Sequence, residues 1–248
     1  MTRFHIRPES IRGDRVVFDG EETHHLVRVL RLQRGALVQA VDGQGHELTV
    51  RLVRVGPRAA EGDILERAVR ASESPFPVTL AQGIPKGSKL ETVIRMATEL
   101  GVALVVPLLL ERTVVRPDPK EQSHRLLRWR RVAKEAAKQS GRGAIPDVRA
   151  PITLGEWLDE ARSPGLLVCL WEREHVPLSR VLPASSPPPC ATVVVGPEGG
   201  LTQKEVDRLR TAGAVVGGLG PRILRTETAG PIAVALLQSR YGDLGADT

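Results

Sequence analysis

Residues 78–110 read VTLAQGIPKGSKLETVIRMATELGVALVVPLLL. The opening VTLAQGI has the composition of a strand. Ser88-x-x-Glu91 then has the spacing of a helix capping box. Leu90, Val93, Ile94, Ala97 and Leu100 recur on one helical face, and Gly101 is the stop signal. VALVVPLLL follows as a buried strand. The same alternation continues downstream. A long basic helix is predicted over about 121–140, and Thr153-x-x-Glu156 opens a short helix before the strand GLLVCLW (165–171). TVVVG (192–196) is another strand, and Thr202-x-x-Glu205 caps a helix in LTQKEVDRLRTAG (201–213). AVVGGLG (214–220) and PIAVALLQSRYG (231–242) read as a last strand and a last apolar helix. Strands alternating with helices imply a largely parallel sheet covered on both faces.

Upstream the period changes. DRVVFDG, ALVQAVDGQG and HELTVRLVRV alternate apolar and polar residues with glycine turns, the mark of short antiparallel strands. VDGQG (41–45) resembles a nucleotide-binding glycine turn, but a strand follows where a helix is required. Asp42-Gly43 is therefore read as a hairpin turn. ASESPFP (71–77) reads as a linker. The expected architecture is α/β, with a small β-domain at residues 1–71 and an α/β domain at 77–245.

The 248 residues are 41% hydrophobic and 26% charged, the profile of a soluble globular protein. No apolar run approaches the roughly 18–20 residues of a membrane span, and MTRFHIRPES is no signal peptide. Cys169 and Cys190 are the only cysteines, and the six histidines are scattered, so neither a disulfide framework nor a metal site is expected. These features fit a cytoplasmic protein. The net charge is +6. Between Glu111 and Arg142 lie ten basic and four acidic residues, so this one segment carries the whole excess and suggests an anionic partner.

Two glycine-rich turns follow predicted strands, where ligands of open α/β sheets sit: GPEGG (196–200) and GLGPRILRTETAG (218–230). Neither ends in Gly-Lys-Ser/Thr, so neither is a P-loop. Glu198 would repel a phosphate and suits hydroxyls or a cation, though it reads equally as a solvated loop acid. Ile223 and Leu224 could wall a flat ring, or could be plain core residues beside an Arg225–Glu227 surface pair.

Four stretches carry a resemblance: HHLVRVLRLQRG (24–35), KLETVIRMATELGV (89–102), RWRRVAKEAAKQSGR (128–142), and GPEGG paired with LGPRILRTETA (219–229). The chain resembles the RsmE family of bacterial 16S rRNA uridine N3-methyltransferases, in the SPOUT superfamily. The resemblance implies an N-terminal PUA-like β-barrel and a C-terminal SPOUT α/β domain with a trefoil knot. It also implies a homodimer, S-adenosylmethionine (SAM) as cofactor, and the 30S ribosomal subunit as the partner that presents the 16S rRNA. Carried over by position, the cofactor pocket comprises Leu170, Trp171, Gly196, Pro197, Glu198, Gly199, Gly200, Leu219, Gly220, Pro221, Ile223, Leu224 and Thr228.

Uracil N3 carries a proton at neutral pH, so methylation needs a base or a cation beside the developing anion. Glu198 or Glu227 is the candidate base and Arg225 the candidate stabiliser. On the basic helix Arg128, Arg131, Lys138 and Arg142 are expected near one face. With Lys134, Lys86, Arg112, Arg116 and the β-domain's Arg28 and Arg31, they form the expected RNA contacts. Aromatic residues are only 3%, so backbone charge and RNA shape rather than stacking should dominate recognition. Two other readings fit the same features: a SPOUT enzyme acting on another RNA, and a non-catalytic RNA-binding assembly factor.

Overall fold

The computed structural model describes residues 3–43, 45–69, 73–114, 118–160, 165–184 and 187–245. It divides into two compact units. One comprises residues 1–73 together with 137–145, and the other 74–136 together with 146–248.

The first unit is built on six strands: β1 (Arg3–His5), β2 (Ile11–Arg12), β3 (Arg15–Phe18), β4 (Leu37–Val41), β5 (His46–Val55) and β6 (Ala60–Val69). They form one sheet in the order β1-β4-β5-β6-β3-β2, antiparallel except for the parallel β1–β4 pair. Alternation along the strands buries Phe4, Val16, Phe18, Val38, Ala40, Leu48, Val50 and Leu52 in one cluster. The hairpin expected at Asp42-Gly43 joins β4 to β5. Gly43 has φ 75°, and the Asp42 carboxylate accepts from the His46 backbone N–H at 3.1 Å. Helix α1 (Gly20–His24) runs into a π-helical turn at His25–Val29. That turn carries Leu26 into the core. Arg31 just beyond it has φ 51°, the one non-glycine residue with positive φ among the described residues.

The second unit runs β7 (Val78–Gly83), α2 (Lys89–Glu99), β8 (Val102–Leu109), α3 (Pro119–Ser140, of which the residues from Ala137 on belong to the first unit), β9 (Asp147–Val148), β10 (Ile152–Thr153) and α4 (Leu154–Glu160). It continues with β11 (Leu166–Leu170), α5 (Leu178–Val181), β12 (Ala191–Val195), α6 (Gln203–Thr211), β13 (Val215–Gly217) and α7 (Thr226–Tyr241). The strand order is β10-β8-β7-β12-β11-β13, with β9 also on β8, and every pairing is parallel. Period two divides β7 between the two faces of the sheet. Ala81 packs with Leu154 and Trp157 of α4 and with Val206 and Leu209 of α6. Leu80 looks the other way, toward Gly230 of α7. Chain order reverses between β7 and β12: β8 lies on one side of this pair and β11 and β13 on the other. The crevice at the carboxyl ends of strands flanking such a reversal is where open α/β sheets bind ligands.

Three expectations are corrected. Thr153/Glu156 and Thr202/Glu205 form reciprocal capping bonds, but Ser88/Glu91 does not. Ser88 is not extended (φ −97°, ψ 10°), and the Glu91 carboxylate instead pairs with Arg128 at 2.8 Å. The last helix begins at Thr226, five residues before Pro231, because Arg225 is an extended N-cap whose carbonyl accepts from the Thr228 and Ala229 N–H groups. Thr226, Glu227 and Thr228 are therefore helical. Finally, Arg142 lies beyond the end of α3 and is buried, its guanidinium paired with Glu73 at 2.7 Å. Lys138, on the helix, pairs with the buried Glu22. Both cations thus serve the first unit's interior instead of joining an exposed face with Arg128 and Arg131.

Candidate active site

The turns after β7, β12 and β13 meet at the carboxyl end of the sheet, and hydrogen bonds hold them together. Gln82, near the end of β7, is fully buried; its Nε2 donates to the Thr226 hydroxyl at 2.9 Å and to the Gly196 carbonyl at 3.3 Å. The Thr226 hydroxyl donates in turn to the Gly196 carbonyl at 2.7 Å. These bonds tie β7, the GPEGG turn and the first turn of α7 to one another. Gly230 lets α7 lie this close, since a Cβ there would stand 2.7 Å from Gln82 Oε1.

GPEGG is tightly determined. A Cβ on Gly196 would lie 2.7 Å from the Gly200 carbonyl carbon, a backbone contact that no side-chain movement relieves. Gly200 has φ 69°. Arg112 donates to the Gly199 carbonyl at 2.5 Å and the Leu201 carbonyl at 3.5 Å, and Trp171 Nε1 to the Leu201 carbonyl at 3.3 Å. Trp171 itself is buried in the core with Leu201 and Leu209, and Leu170, the last residue of β11, is buried beside it. The chain after β11 lies against the chain after β13: the Trp171 N–H bonds the Gly217 carbonyl and the Leu178 N–H the Gly218 carbonyl.

Glu198 projects from GPEGG onto the turn after β7. It accepts from the Lys86 backbone N–H at 3.1 Å and from Lys89 Nζ at 2.9 Å. Burial pushes its carboxyl upward, but the Lys89 hydrogen bond and the backbone N–H groups outweigh this and hold it below the ordinary value of 4.5. Lys89 is raised correspondingly, chiefly by its hydrogen bond to Glu198. Lys89 Nζ is also 3.7 Å from Glu227 Oε2, and Arg225 is 4.0 Å from Glu227 Oε1. Two carboxylates from two turns thus flank one ammonium group. Glu227 Oε2 is buried and accepts no hydrogen bond among the described residues.

The segment from Leu219 to Arg225 is open. Ile223 is 83% exposed and so is no core residue, Leu224 is half-buried, and Pro221, Arg222 and Arg225 are exposed. Among the described residues the backbone N–H groups of Leu219, Gly220, Ile223 and Leu224 donate to no protein acceptor. A Cβ at Gly220 (φ 105°) would meet nothing within 4 Å.

Of the basic residues expected to contact RNA, Arg28, Arg31, Lys86, Arg112, Arg128 and Arg131 are exposed and Lys134 is half-buried. Arg116 lies outside the described residues. Sequence reasoning did not single out Gln82, Lys89 or Thr226. A signal existed for two of them. Gln82 is a polar residue closing an apolar strand, and Lys89 is a cation in a first helical turn, where the helix dipole disfavours positive charge.

The family model for the RNA methyltransferase domain matches residues 72–238, and that for the RNA methyltransferase PUA domain matches 18–65. The ribosomal RNA small subunit methyltransferase E of Synechocystis is 36% identical over 96% of this chain and 77% of its own length. The chain belongs to this methyltransferase E family. The Bacillus subtilis member is also 36% identical, over 85% of this chain and 84% of its own. A Neisseria gonorrhoeae member, solved bound to S-adenosyl methionine, superposes with a TM-score of 0.87 at 33% identity, covering 98% of this chain and 99% of its own. A Legionella pneumophila protein solved in complex with SAM gives 0.86 at 32% identity, with 98% and 100% covered. The family resemblance read from the motifs therefore holds. No helix among the described residues is long and apolar enough to cross a membrane.

Proposed function

We propose that this protein is a SAM-dependent methyltransferase that modifies N3 of a uridine in the decoding region of 16S rRNA, acting on the assembled 30S subunit. The observation that carries this reading is the joined pair of turns after β12 and β13, which presents carboxylates and unpaired backbone donors at the sheet's reversal point. Carboxylates at this point fit a ligand with hydroxyls and a positive charge and disfavour a phosphate. SAM meets that description, and the solved relatives hold it. The open N–H groups of Leu219, Gly220, Ile223 and Leu224 suit the edge of a flat base, with Leu224 and Trp171 among the apolar walls. SAM, when bound, supplies an activated methyl group on sulfur.

The protein's own residues then orient the target and move its proton. Orientation alone contributes on the order of 7–11 kcal/mol in well-aligned reactions. Glu227 is assigned as acceptor of the N3 proton, since its Oε2 carries no donor. Glu198 is already bonded to Lys86 and Lys89, so its role is to hold the GPEGG turn. Arg225, whose side chain is 85% exposed, is assigned to the charge developing on a uracil oxygen. Arg128, Arg131 and Lys134 of α3, with Arg28 and Arg31 of the first unit, are assigned to RNA phosphates.

The same reading takes in the SPOUT knot and a homodimer in the cytoplasm. Ile232 and Leu236, one turn apart and exposed on α7, are the surface assigned to the second copy. Mass-spectrometric mapping after reaction with unmodified 30S subunits tests the function: one N3-methyluridine in 16S rRNA is expected. Methylation at another base or on ribose would overturn the assigned chemistry.

A further inference from the structure

We infer that Lys89 is a positioning residue for the proton-accepting carboxylate: it holds Glu227 from the first turn of α2, while anchoring itself on Glu198. This rests on the methyl-transfer reading above. The charged groups facing Glu227 are Lys89 of α2 at 3.7 Å and Arg225 of its own turn at 4.0 Å; through Lys89, Glu198 faces it from the turn after β12. The Arg225 side chain is 85% exposed, against 40% for Lys89. The better-anchored cation is therefore Lys89, whose hydrogen bond to Glu198 at 2.9 Å sets where its charge lies. A lysine in the first turn of a helix opposes the helix dipole, so α2 gains nothing from it locally. Its value lies across the turn.

The two carboxylates depend on Lys89 unequally. The GPEGG turn keeps the Thr226, Arg112 and Lys86 hydrogen bonds without it. Among the described residues Glu227 would keep only the distant Arg225 as a charged partner. Losing Lys89 should therefore disturb the transfer step and spare cofactor binding.

The test compares the unmutated chain with Lys89→Met and Lys89→Arg, reading SAM affinity by calorimetry and single-turnover methylation of 30S subunits at saturating SAM. Lys89→Met is expected to keep the SAM dissociation constant within threefold and to lower the turnover rate about thirtyfold, near 2 kcal/mol by the tenfold-per-1.36 relation. Lys89→Arg should recover at least a third of the rate. A normal rate in Lys89→Met, a loss traceable wholly to SAM affinity, or no recovery with arginine would overturn the inference alone. Failure of the unmutated chain to bind SAM would overturn it together with the methyl-transfer reading.

Discussion

The Thr226 hydroxyl donates to the Gly196 carbonyl at 2.7 Å, joining the first turn of the last helix to the turn that precedes α6. Thr226 and Gly196 are both buried, and Gln82 bonds to each of them, so one hydrogen-bonded cluster joins the three elements. Valine in place of Thr226 keeps the shape and removes the donor. Thr226→Val should lower unfolding free energy by about 1–2 kcal/mol in urea titrations, as expected for a buried bond whose partner is left poorly satisfied. SAM affinity measured by calorimetry should fall about tenfold, which corresponds to ~1.4 kcal/mol of lost preorganisation. Unchanged affinity would mean that the two turns hold their places independently.

The Glu198–Lys89 bridge sets a pH window. The Glu198 carboxyl is depressed in the folded chain, so its contribution is present above the ordinary 4.5 and is lost as pH falls through the folded value. Lys89 is raised, so its contribution is full below the ordinary 10.5 and is lost as pH climbs through the folded value. The stability gap between the unmutated chain and Glu198→Gln should be flat from about pH 5 to 10 and close at both extremes. Urea midpoints across that range check it. A gap that grew on acidification would contradict the assignment.

Arginines of the segment 128–142 divide by their surroundings. Arg142→Ala leaves Glu73 without its cation inside the first unit and should destabilise by about 3 kcal/mol, measured by urea unfolding. Arg131→Ala, at an exposed position of α3, should leave unfolding within about 0.5 kcal/mol. It should weaken RNA binding and reduce the salt slope by nearly one unit, read from filter binding at several salt concentrations. The opposite pattern would exchange their roles.

Where the sequence was legible, short-range rules decided the matter. The strand–helix–strand of 78–110 appears as β7, α2 and β8, and the turn at Asp42-Gly43 as a hairpin, because alternation and glycine placement act over a few residues. The two threonine capping boxes formed for the same reason. The serine box failed because Glu91 had a remote competitor: Arg128 is far along the chain but adjacent in space. Arg142 was misread by the same blindness, its charge indicating surface while its pairing with half-buried Glu73 keeps it buried. For Ile223 the sequence left two readings, ring wall or core, and its 83% exposure on a segment without internal hydrogen bonds removes the core one. Nothing in spacing alone announces that Thr226, Gln82 and Gly196 converge; a parallel sheet brings strand ends together in an order that periodicity does not encode.

The first unit owns residues 137–145 as well as its N-terminal stretch, and this sets a timetable for synthesis. Arg142 follows Glu73 by 69 residues, and Lys138 follows Glu22 by 116. At roughly 5–20 residues per second, Glu73 waits about 3–14 s on the ribosome for its counter-ion, and Glu22 longer. The first unit thus starts first, with its six-stranded sheet, yet is completed late, after β7, α2 and β8 of the other unit have already been made. A nascent chain halted before residue 137 should remain open to protease in its N-terminal third, and one released beyond residue 145 should become resistant.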